Sequence, residues 1–433
     1  MLVFKFGGAS VNSLDRIRQV ANILSEHRGQ PLVVVISAIG KTTNALEKVA
    51  EAFFRGDNAE ALSLFDEIKL KHIDTYQALL GSADPGCPAG RGGQALPEAM
   101  RDLFTEVEWL LHDRPVREYD YYYDQIVCIG ELLSTTIMHA YLEKSGIPNT
   151  WLDVRDILRT DARFRDATVD LEFSAQQTQS KIQPLLDERR MVLLQGFIGC
   201  TAENESTTLG REGSDYTAAI FSNFLGATSL TIWKDVEGVM NADPKLFPEA
   251  RIIRELNYTE VIEMSYYGAQ VIHPKTIKPL QNKQIPMYVR CFLDPSQPGT
   301  LIHDRSVPVL PPIIVLKKNQ AWLTLHSRDF SFAGESTLSR LYAILESLHI
   351  QPNLVQNGAI SVQLCLDDKG EKTERLAHAV TEVFDVELER GLTLLTIRHF
   401  DAEVLGALTR GHTRILLQQT PEMVQVLLRP DSA

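Results

Sequence analysis

Two apolar runs near the N-terminus, each ending in a glycine turn that opens a helix, constrain the fold more than any other feature of the chain. Residues 1–6 read as a buried strand interrupted only by Lys5. Gly7-Gly8 then permits a sharp turn and a close backbone approach, because neither residue carries a Cβ. Ser10 or Ser13 is placed to cap a helix over about residues 14–27, with Ile17, Val20, Ile23 and Leu24 on one face. The second run, residues 31–37, contains Leu-Val-Val-Val-Ile, the pattern of a central parallel strand. It passes through Gly40 and Thr43 into another helical pattern. Strand, glycine turn and helix N-terminus together gather free N–H groups and the positive end of a helix dipole, which suits an anion. Lys5 adds an ammonium at the same place, and the hydroxyls of Ser37 and Thr43 are expected to face the same crevice. A glycine turn beside a surface lysine is the plain structural alternative for a motif this short. Gly40-Lys41-Thr42 is not a Walker A loop, since Val35 stands where that loop needs a glycine.

The same succession recurs over about 300 residues. Residues 45–145 are mostly helical in pattern, interrupted by a Gly- and Pro-rich loop from Gly81 to Gly93. Glu131 follows Gly130 among apolar neighbours. A half-buried carboxylate needs a cation, either from an internal ion pair or from a ligand ammonium. Residues 149–154 and 191–197 are short apolar strands. Leu209-Gly210-Arg211-Glu212-Gly213-Ser214-Asp215 is a second glycine-rich entry to a helix, expected over residues 216–225 with Ser214 as N-cap. Arg211, between two glycines, suits forked recognition of a carboxylate or phosphate. Residues 229–233 form another strand, and Lys234, Asp235 and Lys245 lie in the loop beyond it, where open α/β sheets hold ligands. A helix led by His273-Pro274 and strands over residues 286–292 and 299–302 close the pattern. The expected fold is α/β: three layers, with a mostly parallel sheet between helices.

Residues 294–312 hold five prolines and read as a linker, which divides a domain of residues 1–305 from one of residues 306–433. The tail reads as βαββα followed by an abbreviated βαββ, at about residues 313–385 and 386–433. That is a duplicated ferredoxin-like α+β module with no catalytic constellation. Its sheet edges make a homodimer the expected assembly.

A net charge of −13 argues against nucleic acid or an anionic membrane as partner. No apolar run is long enough to span a bilayer, and the chain enters a strand with no leader pattern. Five cysteines form no CxxC pair, as expected of reduced thiols in a cytoplasmic protein. No HExxH or paired cysteine ligands occur, so no protein-held metal is expected. Cations at Lys5 and Arg211, carboxylates at Asp215 and Asp235, and glycine turns at strand ends fit phosphoryl transfer, which needs positioning and charge neutralisation. Hydride transfer would want a compact GxGxxG unit, and acyl hydrolysis a GxSxG elbow; neither is present.

Lys5 to Ser10, Ser37 to Asn44, Gln195 to Gly199, Leu209 to Ala218, Trp233 to Pro244 and Tyr267 to Pro274 occur in the order found in aspartate kinases, and the chain resembles that family over nearly all of residues 1–302. The resemblance implies an amino-acid kinase fold, ATP and Mg2+ as cofactors, and L-aspartate as acceptor, phosphorylated on its β-carboxylate in the first step towards lysine, threonine and methionine. It implies that Lys5 neutralises the transferring phosphoryl group and that Asp215 orients Lys5. Gly7, Gly8 and Ser10 would cradle phosphate oxygens, and Lys234, Asp235, Met240 and Lys245 would line the nucleotide site. Arg211 would hold the α-carboxylate of aspartate, Glu131 its ammonium, and Ser37, Thr43 and Ser214 its β-carboxylate. The tail resembles paired ACT modules. That implies an allosteric amino-acid effector, lysine or threonine, near Ser327, Phe330, Gln356, Asn357 and Ile360; a purely structural dimer interface is the alternative.

Three residues depart from the family pattern: Ala9 where threonine is usual, Glu212 where glycine is usual, and Gln270 where a nucleotide-contacting lysine can stand. Glu212 is expected to point outward or to pair with Arg211 or a lysine. Two other readings compete: a kinase for glutamate or N-acetylglutamate, and a non-catalytic amino-acid sensor on the same fold. Glu131 disfavours an N-acylated substrate, and ATP turnover separates kinase from sensor.

Overall fold

The computed structural model describes residues 1–81, 95–269, 272–328 and 334–430. The glycine-rich loop expected up to Gly93, together with Gln270 and Phe330, lies outside the described residues apart from Gly81. Two compact units result: Met1–Val239 with Arg254–Ile262 and Val271–Val307, and Met240–Ile253 with Glu263–Gln270 and Pro308–Ala433.

In chain order the first part of the molecule runs β1 (Leu2–Phe6), α1 (Leu14–Ser25), β2 (Leu32–Ile36), α2 (Thr42–Phe54), α3 (Asn58–Leu80), α4 (Glu98–His112), α5 (Tyr119–Val127) and α6 (Ile129–Lys144). It continues β3 (Asn149–Trp151), α7 (Leu171–Lys181), α8 (Gln183–Asp187), β4 (Met191–Gln195), β5 (Ile198–Cys200), β6 (Ser206–Thr208), α9 (Gly213–Leu225) and β7 (Ser229–Lys234). Then follow β8 (Glu255–Asn257), α10 (Tyr258–Tyr266), α11 (Pro274–Gln281), β9 (Met287–Cys291) and β10 (Thr300–His303).

Eight of these strands form one sheet in the order β3-β4-β2-β1-β7-β9-β10-β8. Every pair is parallel except β9–β10. The five side chains of β2 are all 0 % exposed, which is why this strand is a continuous apolar run: α6 packs on β2, β3 and β4, and α9 on β1, β2 and β7. β1 lies between β2 and β7, so the chain leaves it to one side early and returns on the other side late. In an open parallel sheet, that reversal opens a crevice at the strand C-termini. Ser13, rather than Ser10, caps α1; its hydroxyl accepts the Arg16 N–H, while Ser10 sits in a 3-10 turn over Gly8–Val11.

The second unit contains β11 (Ile313–Ser327), α12 (Glu335–Ser347), β12 (Leu354–Asn357), β13 (Ser361–Asp367), α13 (Glu371–Val380), β14 (Phe384–Arg398), α14 (Ala402–Thr409), β15 (His412–Gln419) and β16 (Met423–Pro430). Its strands make one antiparallel sheet, β12-β13-β11-β14-β16-β15. β11 and β14 each run through both halves of it, so Ile313–Lys317 pairs with Leu394–Arg398 and Gln320–Ser327 with Phe384–Leu392, across a register shift after Lys317. Leu323, Leu325 and Leu364 pack with Leu341, Leu345 and Leu376 of α12 and α13 under one half. Val404, Leu405 and Leu408 of α14 pack on Leu395, Ile397 and Val426 under the other. The second ferredoxin-like half thus carries one helix among the described residues, the abbreviated form.

Candidate active site

A cavity of about 590 Å³ opens at the C-terminal ends of β1, β2, β4 and β7. β1 supplies Lys5, and the turn after it Gly7, Gly8, Ala9 and Ser10. Ser37 follows β2, Thr43 lies in the first turn of α2, and Phe197 follows β4. Arg211, Glu212, Ser214 and Asp215 come from the entry to α9, and Trp233, Lys234 and Asp235 from the end of β7. Tyr123 and Arg165, to which the sequence reading gave no role, complete the wall.

Lys5 is nearly buried, and its ammonium lies 2.7 Å from Asp215 Oδ1. Burial opposes ionisation of Asp215, yet the ammoniums of Lys5 and Lys234 outweigh it and hold the carboxyl below its ordinary pKa. The pair is therefore an ion pair of a carboxylate with the lysine ammonium. A Cβ on Gly7 would sit 3.3 Å from Lys5 Nζ, so the glycine keeps the space over the ammonium open.

At Gly8 a Cβ would meet the carbonyls of Ala38 and Gly40, both at 2.8 Å, where backbone cannot yield. The turns after β1 and β2 are also joined by the Gly40 N–H donating to the Gly8 carbonyl at 3.0 Å. Gly8→Ala is therefore expected to cost about 1–3 kcal/mol of stability, the usual range for overpacking. A thermal melt checks it, and an unchanged Tm would show that the two turns part easily. Ser10 donates its hydroxyl to the Trp233 carbonyl (3.4 Å) and its N–H to the Gly7 carbonyl (2.8 Å). What this turn presents to an anion is thus the leading N–H groups of the 3-10 helix, which have no acceptor within the helix.

Arg211 is exposed on the cavity wall and makes no hydrogen bond or ion pair to another described residue. The N-cap of α9 is Glu212, not Ser214: the helix begins at Gly213, three residues earlier than expected. Glu212 has φ +53, a left-handed backbone that costs a non-glycine residue about 1 kcal/mol. Its carboxylate accepts the His273 N–H at 2.7 Å, so the extra charge is engaged at the entry to α11 and pairs with neither Arg211 nor a lysine. Close packing behind Ser214 requires Gly196, where a Cβ would lie 2.5 Å from Ser214 Cβ.

Three expected residues are not on this wall. Glu131 is 2 % exposed; one carboxyl oxygen accepts the Ala38 N–H at 3.4 Å and the other has no partner. Burial pushes its pKa up to about 8, against the opposing pull of the Ala38 N–H and the charge of Lys5. Met240 and Lys245 belong to Met240–Ile253, which clusters with the second unit. In that unit the Ser327 N–H donates to the Ile360 carbonyl at 2.9 Å, and Gln356 Oε1 accepts from Gln418 at 2.7 Å beside Asn357. Among the described residues no group of three or more His, Cys, Asp or Glu could hold a metal ion, and no helix is long and apolar enough to cross a membrane.

The sequence matches the family model described as the amino acid kinase family over residues 1–291. It is 31 % identical to lysine-sensitive aspartokinase 3 of Escherichia coli over 405 residues, covering 92 % of this chain and 86 % of that protein. It is 32 % identical to the chloroplastic aspartokinase 2 of Arabidopsis thaliana, covering 90 % of this chain and 70 % of that one. The crystal structure of E. coli aspartokinase III in complex with aspartate and ADP matches with a TM-score of 0.79 at 29 % identity, over 99 % of this chain and 96 % of that chain. The same enzyme in complex with lysine and aspartate matches with a TM-score of 0.77 at 28 % identity, over 99 % and 95 %. With this match over the strands, turns and helices that build the cavity, the chain belongs to the amino acid kinase family and, within it, to the aspartokinases.

Proposed function

We propose that the chain transfers the γ-phosphoryl group of ATP to the β-carboxylate of L-aspartate, giving 4-phospho-L-aspartate. The observation that carries this reading is one cavity that holds both the Lys5–Asp215 pair and the exposed guanidinium of Arg211, which has no ion-pair partner among the described residues. Arg211 takes the α-carboxylate. Ser37, Thr43 and Ser214 offer hydroxyl donors to the β-carboxylate, and Lys5 lies between it and the phosphoryl group. The turn Gly7-Gly8-Ala9-Ser10, with Lys234 and Asp235, serves the nucleotide. An aspartate β-carboxyl has a pKa near 3.9 and is ionised at neutral pH, so attack on phosphorus needs no general base. The work left to the protein is to bring two anions together. Magnesium is usually held by phosphates, waters and one or two carboxylates. Asp215 is committed to Lys5, so phosphates and waters would hold most of the ion, with Asp235 on the cavity wall as the carboxylate in reach, and the ion would neutralise phosphate oxygens.

Residues 1–305 then form the catalytic domain of a cytoplasmic homodimer, and residues 306–433 its regulatory region. An amino-acid effector such as lysine or threonine would bind near Ser327, Gln356, Asn357 and Ile360. Coupled ADP release with aspartate, glutamate and N-acetylglutamate tests the substrate. Aspartate should be strongly preferred, and preference for either of the others would overturn the assignment.

Glu131 is the proposed partner of the substrate ammonium, which gives a pH signature. With its pKa pushed up to about 8, Glu131 must lose a proton before it can bind an ammonium. kcat/KM for aspartate is expected to rise up to tenfold per pH unit until about pH 8, then level off. Stability runs the other way. The folded-state value exceeds the unfolded value of 4.5, so the folded protein binds more protons between the two. It loses stability as pH rises through that window, by at most about 1.4 kcal/mol per unit. Glu131→Gln should flatten both profiles. Slopes that persist in the variant would assign them to another group.

A further inference from the structure

Arg165 lines the same cavity as Arg211, and the route by which it gets there is built. Its backbone is left-handed, with φ +69, an arrangement that disfavours side chains and is kept only where the surroundings enforce it. The enforcing group is Asp124 of α5, fully buried. One of its oxygens accepts the Arg165 N–H at 3.0 Å and the Thr208 N–H at 2.8 Å; the other accepts the Thr208 hydroxyl at 2.7 Å. Thr208 lies three residues before Arg211, and its carbonyl accepts the Ala167 N–H at 2.9 Å. At Gly210 a Cβ would come within 3.3 Å of the Arg165 carbonyl. The loops that carry the two arginines are thus in contact and stapled by one carboxylate.

The Arg165 guanidinium lies over the ring of Tyr123, itself a wall residue, 4.4 Å from the ring centre. Its ionic partners are Asp120 at 3.2 Å and Glu47 at 3.7 Å, all three side chains well exposed. Exposed pairs of this kind are worth little and are exchanged readily for a better-held anion. Glu47 sits one helical turn beyond Thr43, so the exchange would take place beside the substrate hydroxyl donors.

We propose that Arg165 is a second carboxylate-recognising arginine of the amino-acid end of the cavity, releasing Asp120 and Glu47 to share the substrate α-carboxylate with Arg211. Asp124 is the positioning residue for both. This inference rests on the aspartate reading given above. The β-carboxylate must face Lys5 and the phosphoryl group, so the α-carboxylate is the charge left for a pair of guanidiniums.

The test compares wild type, Arg165→Ala and Arg165→Lys with L-aspartate and with its α-amide, which keeps the β-carboxylate but lacks the α-carboxylate. Arg165→Ala should raise KM for aspartate about 10- to 30-fold, the scale of one charge-assisted hydrogen-bond pair, and leave KM for ATP and kcat within a few-fold. Discrimination between aspartate and the amide should fall by the same factor, and Arg165→Lys should recover part of it. A uniform loss with both substrates and a lowered Tm would make Arg165 a clamp between α2 and α5 and overturn the proposal. If wild type forms no ADP with aspartate, the kinase reading fails by itself. Calorimetric titration of aspartate into wild type and Arg165→Ala still decides this proposal, equal affinities overturning it.

Discussion

Lys5→Ala is expected to lower kcat for aspartate-dependent ADP formation by at least about a hundredfold, the scale of one lost electrostatic stabiliser. KM for aspartate should move only a few-fold. The asymmetry follows from placement. The ammonium is held at the end of β1, between β2 and β7, 2.7 Å from Asp215 and directly over Gly7. There it meets the phosphoryl group and the attacking carboxylate at the moment their charges approach. Two anions in a cavity repel strongly, and a fixed cation between them is felt more in the transition state than in either ground-state complex. Loss of the ammonium also strands Asp215, whose carboxyl is kept ionised by Lys5 and Lys234 against its burial. Lys5→Ala should therefore weaken nucleotide binding as well, which a titration with ADP would read. Near-normal turnover in this variant would remove Lys5 from the chemistry.

Arg211→Ala should act on the other parameter. KM for aspartate is expected to rise on the order of a hundredfold, with a smaller change in kcat, because the guanidinium meets a carboxylate that does not react. Arg211 makes no hydrogen bond or ion pair to another described residue, so its removal leaves no protein group stranded. Its loss should leave the stability within about 0.5 kcal/mol of wild type, as for surface substitutions away from structural features. Steady-state kinetics with a parallel melt separates the two effects. A large drop in Tm, or a kcat effect exceeding that on KM, would mean that Arg211 holds α9 in place and does not bind substrate.

Much of this cavity was legible in the sequence because its parts are punctuation. Glycine turns at the ends of apolar runs, with Lys5, Ser37, Thr43, Arg211 and Asp215 at fixed offsets, all lie on one wall. Arg165 was not legible. It has no glycine beside it, and its place is set by Asp124, forty-one residues away in sequence. Glu212 was misread for the same reason: a glutamate is a poor N-cap by composition, and its partner is the His273 N–H, sixty-one residues on. α6 hid the position of Glu131, because a helix apolar on nearly every side gives no sign of which face turns to a cavity. In the second unit, a linker over residues 294–312 followed by short α+β elements gives no sign that β11 and β14 are long enough to serve both halves. Lys317–Gln320 is the irregular middle of β11, where the pairing with β14 shifts register, so each long strand serves both halves of the sheet.

The account depends on a substrate that arrives already ionised and is phosphorylated without proton abstraction. An acyl phosphate is the only product that mechanism can form, and hydroxylamine traps it as a hydroxamate. With wild type, ATP and magnesium, aspartate hydroxamate should form in step with ADP, one for one, and vanish when aspartate is omitted. ADP release with no hydroxamate, or at the same rate without an amino acid, would mean that water takes the phosphoryl group and would contradict the account.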